Sequence, residues 1–191
     1  MKKTIIYTLL TAAAIFVTYI VYTINNPASP LKTASFLENE KNITITYSSP
    51  YKKGRFIFGL ESESALVPFD KYWRTGANRH TMIKTSSDLN FNNNILKAGE
   101  YSLYSKPGAQ SWDITFNTTN EYFGISQPDS KMDVFTISVP STSTDVSIEQ
   151  LTFDFIPAPP DGPNTNFGIR LRWDQTEAVS YTHLRAHETP E

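Results

Sequence analysis

The sequence predicts an all-β protein: an antiparallel β-sandwich of about nine strands behind one N-terminal membrane helix. Three observations predict it. From Ile43 onward, apolar side chains recur with a period of two rather than 3.6. Clusters of Gly, Pro, Asn and Ser cut these runs into short segments. Ahead of them stands one uncharged apolar stretch, TIIYTLLTAAAIFVTYIVYTI, at residues 4–24.

Taken in order, the first element is that stretch. At 1.5 Å per residue, about 20 residues cross a hydrocarbon core of ~30 Å. Lys2 and Lys3 precede it and the next basic residue is Lys32. The positive-inside rule then keeps the N-terminus in the cytoplasm and sends the rest outward. The reading is a single-pass inner-membrane anchor, residues 1–25, with the domain in the periplasm. The alternative is a long signal peptide cut after Ala28. Residues 26–36 read as a linker, opened by NNPASP, and residues 37–178 as the sandwich.

Within the domain, Ile43, Ile45 and Tyr47 alternate with polar residues until Pro50. Residues 55–58 form a second short strand between glycines, and residues 81–85 a third. The asparagine-rich tract at 90–94 suits a hairpin turn. Residues 95–97 and 101–105 follow, the second ended by Lys106-Pro107-Gly108. Trp112, Ile114 and Phe116 share one face of the next strand, as do Phe135, Ile137 and Val139 of the one before Pro140. Leu151, Phe153 and Phe155 precede a proline-rich loop at 157–163, and Ile169, Leu171 and Trp173 form the last strand. Trp112 and Trp173, on alternating apolar faces, read as core rather than as sugar platforms. From about residue 179 the alternation stops. SYTHLRAHET resembles a translated adapter or vector sequence, so residues 179–191 are set aside as a suspect non-native tail.

Composition narrows the function. Lys+Arg 17 nearly balance Asp+Glu 19, for a net charge of -2. With no basic stripe, nucleic acid is not an expected partner. The chain has no cysteine, which excludes disulfides, thiolate metal sites and cysteine nucleophiles. No G-x-S-x-G elbow, phosphate-binding glycine loop or H-E-x-x-H motif is present. His183 and His187 stand four apart in the tail, a spacing that suits two metal ligands on a helix face, but they belong to the segment set aside. No metal or cofactor is expected.

The stretch WRTGAN, residues 73–78, and the His80 just beyond it hold the residues of greatest interest. Trp73 follows an apolar Leu66-Val67-Pro68-Phe69 run and is expected to pack under the sandwich rim. Gly76 is expected to take a backbone angle that other residues avoid, and Asn78 to fix a turn through its own backbone. Arg74 has five donors in a planar fork suited to a carboxylate or phosphate. If buried it needs an acid such as Glu63, Asp113 or Glu100. If open it suits an anionic ligand, and Arg55, beside Gly54, is a candidate to join it in an anion pocket. Tyr101 and His80 complete the candidate site.

YSSPYKKGRFIFG, LVPFDKYWRTGAN, LKAGEYSLYSKPG and SWDITFN occur in that order. Together they resemble the family catalogued as domain of unknown function 2911, over residues 37–175. The resemblance implies an exported bacterial β-domain and no particular reaction. In many members a glutamate follows WRTGAN; here Arg79 and His80 follow.

The function expected is binding of an envelope glycan, a peptide or protein, or a small anion, through Trp73, Arg74, Asn78, Arg55, Tyr101 and His80. The rival is a hydrolase-like site with His80 as base beside Ser49 or Ser102. A third reading is an accessory subunit of an envelope complex, with an exposed apolar patch and no pocket.

Overall fold

The computed structural model describes residues 2–91, 93–119, 124, 126–159 and 167–184. Helix α1 (Lys2–Asn25) is followed by β1 (Leu31–Glu38), β2 (Lys41–Ser48), β3 (Phe58–Gly59), β4 (Val67–Pro68), β5 (Thr81–Thr85) and β6 (Leu89–Phe91). Then come β7 (Asn94–Leu96), β8 (Gly99–Pro107), β9 (Ser111–Asn117), β10 (Asp133–Pro157) and β11 (Phe167–Leu184).

Helix α1 is apolar, and none of its most apolar window is buried against the described residues of the domain. Its threonines return their hydroxyls to the backbone one turn back: Thr8 to Thr4 O at 3.0 Å, Thr11 to Tyr7 O at 2.9 Å and Thr18 to Ala14 O at 2.8 Å. A hydroxyl satisfied within its own helix costs little in lipid. The helix is compatible with a membrane anchor or a signal sequence.

Nine strands form one sheet in the order β1-β2-β5-β8-β9-β10-β11-β6-β7, antiparallel throughout. The sheet folds over on itself at β10, which pairs with β9 along its first part, as far as Pro140↔Ser111, and with β11 along its second, from Ser141↔Ala178. The two layers meet through aromatic pairs. Tyr47 of β2 lies 4.9 Å from Phe153 of β10, Phe36 of β1 lies 4.2 Å from Phe167 of β11, and Phe91 of β6 lies 5.2 Å from Phe116 of β9. Ile43, Ile45, Ile83, Leu151 and Phe116, each buried, fill the space between. This is the sandwich that the period-two pattern predicts.

Several boundaries differ from the sequence reading. The linker expected at 26–36 ends early: Leu31 already pairs with Ser48, and β1 runs the full length of β2. Its alternation of Thr33 and Ser35 with Ala34 and Phe36 is a strand pattern weakened by small residues. The strand expected at 55–58 shrinks to β3, whose two residues pair with β4 in parallel. Arg55 N–H instead closes a turn on Lys52 O at 3.1 Å. The two strands expected on either side of Pro140 are one, since the proline ends the ladder with β9 and not the strand. A proline has no N–H to offer a ladder, and here it stands where one partner gives way to another. The strand expected to stop at about 179 carries on to Leu184, with Thr182 buried and its hydroxyl 2.8 Å from Asn90 O. Residues 185–191 and 160–166, the latter including part of the proline-rich stretch expected to be a loop, lie outside the described residues.

Candidate functional site

β5 begins at Thr81, paired with Leu103, while its neighbours β2 and β8 both extend past it, to Ser48 and Pro107. This leaves a gap between two strand ends with unpaired backbone groups. Residues 73–77 fill it. Trp73 N–H donates to Ser105 O, and Ser105 N–H to Trp73 O, both at 2.8 Å. On the other side Ala77 N–H reaches Ser48 O at 3.2 Å. The corner is thus a substitute for the missing end of β5, which is why its sequence has no strand period.

The turn inside this corner is made differently from what the sequence suggests. Gly76 does not have a positive φ; Thr75 (φ 55°) and Asn78 (φ 57°) do. What position 76 requires is smallness, because a Cβ there would stand 3.0 Å from Ser48 O and 3.2 Å from Thr81 Oγ1. Thr75 is β-branched and rarely adopts this conformation. It is held by burial and by three hydroxyl contacts: its Oγ1 lies 3.0 Å from Ser105 Oγ and 3.3 Å from Trp73 O, and Thr81 Oγ1 donates to Thr75 O at 2.8 Å.

Trp73 lies in the core, deeper than under a rim. Its ring stacks on Trp173 (centroids 6.1 Å apart, planes 16° apart) and meets Trp112 edge-on at 5.8 Å. Its Nε1 donates to Gly76 O at 3.1 Å, tying the indole to the turn it precedes. Trp112 and Trp173 are 0% and 1% exposed, core residues as expected.

Above this aromatic layer opens a cavity of about 570 Å³, within the usual range for small-molecule sites. Trp73, Trp173 and Val67 supply its apolar wall. Lys53, Arg55 and Arg74 supply three cations and Asn78 a polar edge, and no acidic residue lines it among the described residues. Among the described residues Arg74 forms no ion pair, and its hydrogen bond goes to Asn78 O at 3.3 Å. Glu63, Asp113 and Glu100, the acids considered as its partners, do not pair with it. Glu63 caps Leu60 N–H at 3.0 Å, and Glu100 lies 3.7 Å from Lys84. Arg55 braces its own turn, with Nε on Lys52 O at 2.9 Å and Nη2 on Tyr51 O.

Four of the six candidate residues therefore converge: Trp73, Arg74, Asn78 and Arg55. The other two do not line this cavity. Tyr101, on β8, donates its hydroxyl to Lys97 O at 3.1 Å, and burial, then the Asp88 charge, push its acidity down and its pKa up. His80 is 2% exposed and lies behind Arg74, its Nε2 2.7 Å from the Tyr72 hydroxyl. Burial holds its pKa below that of an ordinary imidazole; the Ser126 carbonyl opposes this and the Arg74 charge adds to it. Ser49 and Ser102 turn to carbonyls, Ser49 Oγ to Leu151 O at 2.6 Å and Ser102 Oγ to Asn117 O at 3.5 Å. Neither is set up beside His80 as a nucleophile.

Of the thirteen described residues that line the cavity, nine were not among the candidates, Lys53, Ala28 and Ser29 included. Lys53 stands in the same KKGR turn as Arg55 and had a visible signal in that run of charge. Ala28 and Ser29, in the connection that leaves α1, also line the cavity; small residues in a linker carry no signal that would place them there.

A family model described as "Protein of unknown function (DUF2911)" matches residues 29–180. The chain belongs to this family. The DUF2911 match takes in all eleven strands except the last residues of β11, so the cavity is built almost wholly from family sequence, with Ala28 just outside it. No curated protein and no solved structure matches the chain.

No cluster of three His, Asp or Glu is placed to hold a metal among the described residues. His183 Nε2 lies 3.1 Å from Asn90 Nδ2, while His187 and Glu191 lie outside the described residues.

Proposed function

We propose that the protein is a membrane-anchored binding module of the cell envelope, facing the periplasm, whose cavity takes a ligand bearing a carboxylate or phosphate. The observation that carries this reading is the convergence of Lys53, Arg55 and Arg74 on one cavity with no acidic residue among its described lining. Three cations facing one space repel each other, and a net charge of -2 for the whole chain makes their grouping a local feature. An anion removes that repulsion. The planar fork of Arg74 suits two oxygens of one acid group, Asn78 adds polar contacts, and the exposed Leu66 side chain offers an apolar wall beyond it. A glycan acid, a peptide carboxylate or a phosphate would each fit this chemistry.

The test is the melting temperature of the full chain, wild type against Arg74→Lys, with phosphate, acidic sugars and acidic peptides added in turn. Lysine keeps the charge and loses the fork. A ligand that raises the wild-type melting temperature and not that of the variant supports the reading. If no anion shifts either protein, the cavity is not an anion site and the corner is structural only.

A further inference from the structure

We infer that the anion this cavity takes is the phosphate headgroup of an anionic phospholipid in the leaflet beside the anchor. The inference rests on the anion-site reading above and adds the source of the anion. Three observations point to it.

The first is connectivity. Helix α1 ends at Asn25, and Ala28 and Ser29 line the cavity. At no more than ~3.6 Å per residue, the lining begins within about 11 Å of the helix end. If α1 spans the bilayer, the cavity is therefore held at headgroup depth, whatever the orientation of the domain. A soluble ligand would not need a site tethered so close to the surface.

The second is the apolar rim. Phe56 and Leu60 are 50% and 55% exposed, and Leu66, which lines the cavity, is 43% exposed. They form one patch, since Leu66 N–H donates to Phe56 O at 3.0 Å and Leu60 begins the turn between them. Large apolar side chains beside basic ones suit a surface that dips into the membrane interface; the acids in the same turn are engaged, Glu61 with Lys71 and Glu63 with Leu60 N–H. In solution the same patch would stand in water with nothing to cover it.

The third is the order of charge and apolarity along the chain. In KKGRF the cations Lys53 and Arg55 stand directly before Phe56. With Phe56 at the acyl boundary, the two cations sit at the level of lipid phosphates, where basic side chains are drawn to anionic lipid. The cavity, at about 570 Å³, has room for a phosphoglycerol headgroup beyond the phosphate itself.

The experiment uses the full chain in zwitterionic micelles and follows melting by tryptophan fluorescence, since Trp73 and Trp173 line the site. The probes are dioctanoyl phosphatidylglycerol, dioctanoyl phosphatidylcholine and free glycerol 1-phosphate. The variants are Arg55→Gln, exposed and outside the core, and the double variant Phe56→Ser/Leu60→Ser. Phosphatidylglycerol is expected to raise the melting temperature by about 5–10 °C at a hundredfold excess over its Kd, and phosphatidylcholine to have no such effect. Arg55→Gln should weaken phosphatidylglycerol affinity about fivefold, which at the same lipid concentration lowers the shift by about a third. The double variant should lose most of it while keeping any response to glycerol 1-phosphate. If glycerol 1-phosphate stabilises the protein and the lipid adds nothing to it, the lipid assignment falls and the anion site stands. If phosphatidylcholine matches phosphatidylglycerol, or the variants respond like wild type, the lipid assignment also falls. If no anionic probe acts, both readings fall together.

Discussion

Two glycines near the cavity are required for opposite reasons, and asparagine separates them. Gly54 has φ +68° and open space where a Cβ would be, so only its backbone conformation matters. Gly76 has an ordinary φ, but a Cβ would press on Ser48 O at 3.0 Å and Thr81 Oγ1 at 3.2 Å. Asparagine tolerates the left-handed region, so Gly54→Asn is expected to change stability by about 0.5 kcal/mol or less, helped by a less flexible unfolded chain. Gly76→Ala overpacks the corner at a cost of about 1–3 kcal/mol. The closest contact is a backbone oxygen at the end of β2, which cannot swing away as a side chain would. It also accepts the Ala77 N–H bond at 3.2 Å, so the strain falls on the bond that docks the corner. Gly76→Asn should cost more than alanine. For a domain of this size the alanine cost amounts to a loss of about 2–12 °C in melting temperature. Thermal and urea melts of Gly54→Asn, Gly76→Ala and Gly76→Asn measure it. A Gly76→Asn protein that melts with wild type, or a Gly54→Asn protein that melts lower than Gly76→Asn, refutes the account of the corner as a close-packed substitute for the end of β5.

Two further predictions concern acid stability. His80 has a folded pKa below its unfolded value of about 6.5, so the unfolded chain binds the proton first. Its contribution is complete above pH 6.5 and is lost as pH falls from there toward the folded pKa, with a slope of at most about 1.4 kcal/mol per pH unit. Urea melts at pH 7 and pH 5 should show this loss, and His80→Gln should remove part of the pH dependence; an unchanged slope refutes it. Asp154 receives Arg170 in a fork (2.8 and 2.6 Å) and Arg172 at 2.8 Å. Burial pushes its pKa up, but the Arg170 hydrogen bonds and both guanidinium charges outweigh this and hold it below the usual carboxylate range. Its contribution is therefore complete above about pH 3.9 and lost as pH falls below that. Asp154→Asn should cost about 1–2 kcal/mol at pH 7, discounted for a site about a third exposed, and an Asn variant as stable as wild type at pH 7 overturns it.

What the sequence made legible follows from which physical signals are local. Trp112-Ile114-Phe116 and Ile43-Ile45-Tyr47 bury one face of a strand, and such a pattern survives in a single sequence because each residue reports its own side. Pairing does not. Nothing local in residues 133–157 says that one strand serves two partners, so Pro140 was a true signal with two possible meanings. β1 was hidden because its inward residues include Ala34 beside Phe36, too small to mark a face. At the site, the charge of Arg55 and Arg74 and the amide of Asn78 were visible, but 18 or more residues separate Arg55 from the rest, and only the fold brings them together. Tyr101 and His80 carried the same kind of side-chain signal and went elsewhere. Tyr101 sits on β8 opposite Ile83, away from the corner, and His80 is the last residue before β5 and turns inward. Gly76 shows the limit most clearly. The residue was recognised as required, and the reason lay in Ser48, 28 positions away.

The corner and the cavity are one device. A gap at the end of β5 must be closed for the backbone groups of Ser48 and Ser105 to be paired, and residues 73–77 close it with three backbone hydrogen bonds. The same closure fixes Trp73 on the Trp173 ring and leaves Arg74 and Asn78 at the edge, where the left-handed turn at Asn78 points its carbonyl back at the Arg74 guanidinium. Arg74 is thus placed by the bonds of the corner and by its own bond to Asn78 O, and lines one cavity with Lys53 and Arg55. A structural role for WRTGAN therefore does not compete with the binding role proposed for it. The backbone and the tryptophan build the corner, and the arginine and asparagine are what the corner presents. Substitutions should divide accordingly: changes at Trp73, Thr75 and Gly76 lower stability and binding together, while Arg74→Lys and Arg55→Gln lower binding with melting temperature nearly unchanged in the absence of ligand. Arginine variants that unfold the domain would place Arg74 with the corner instead, and remove the reason to regard the cavity as a site.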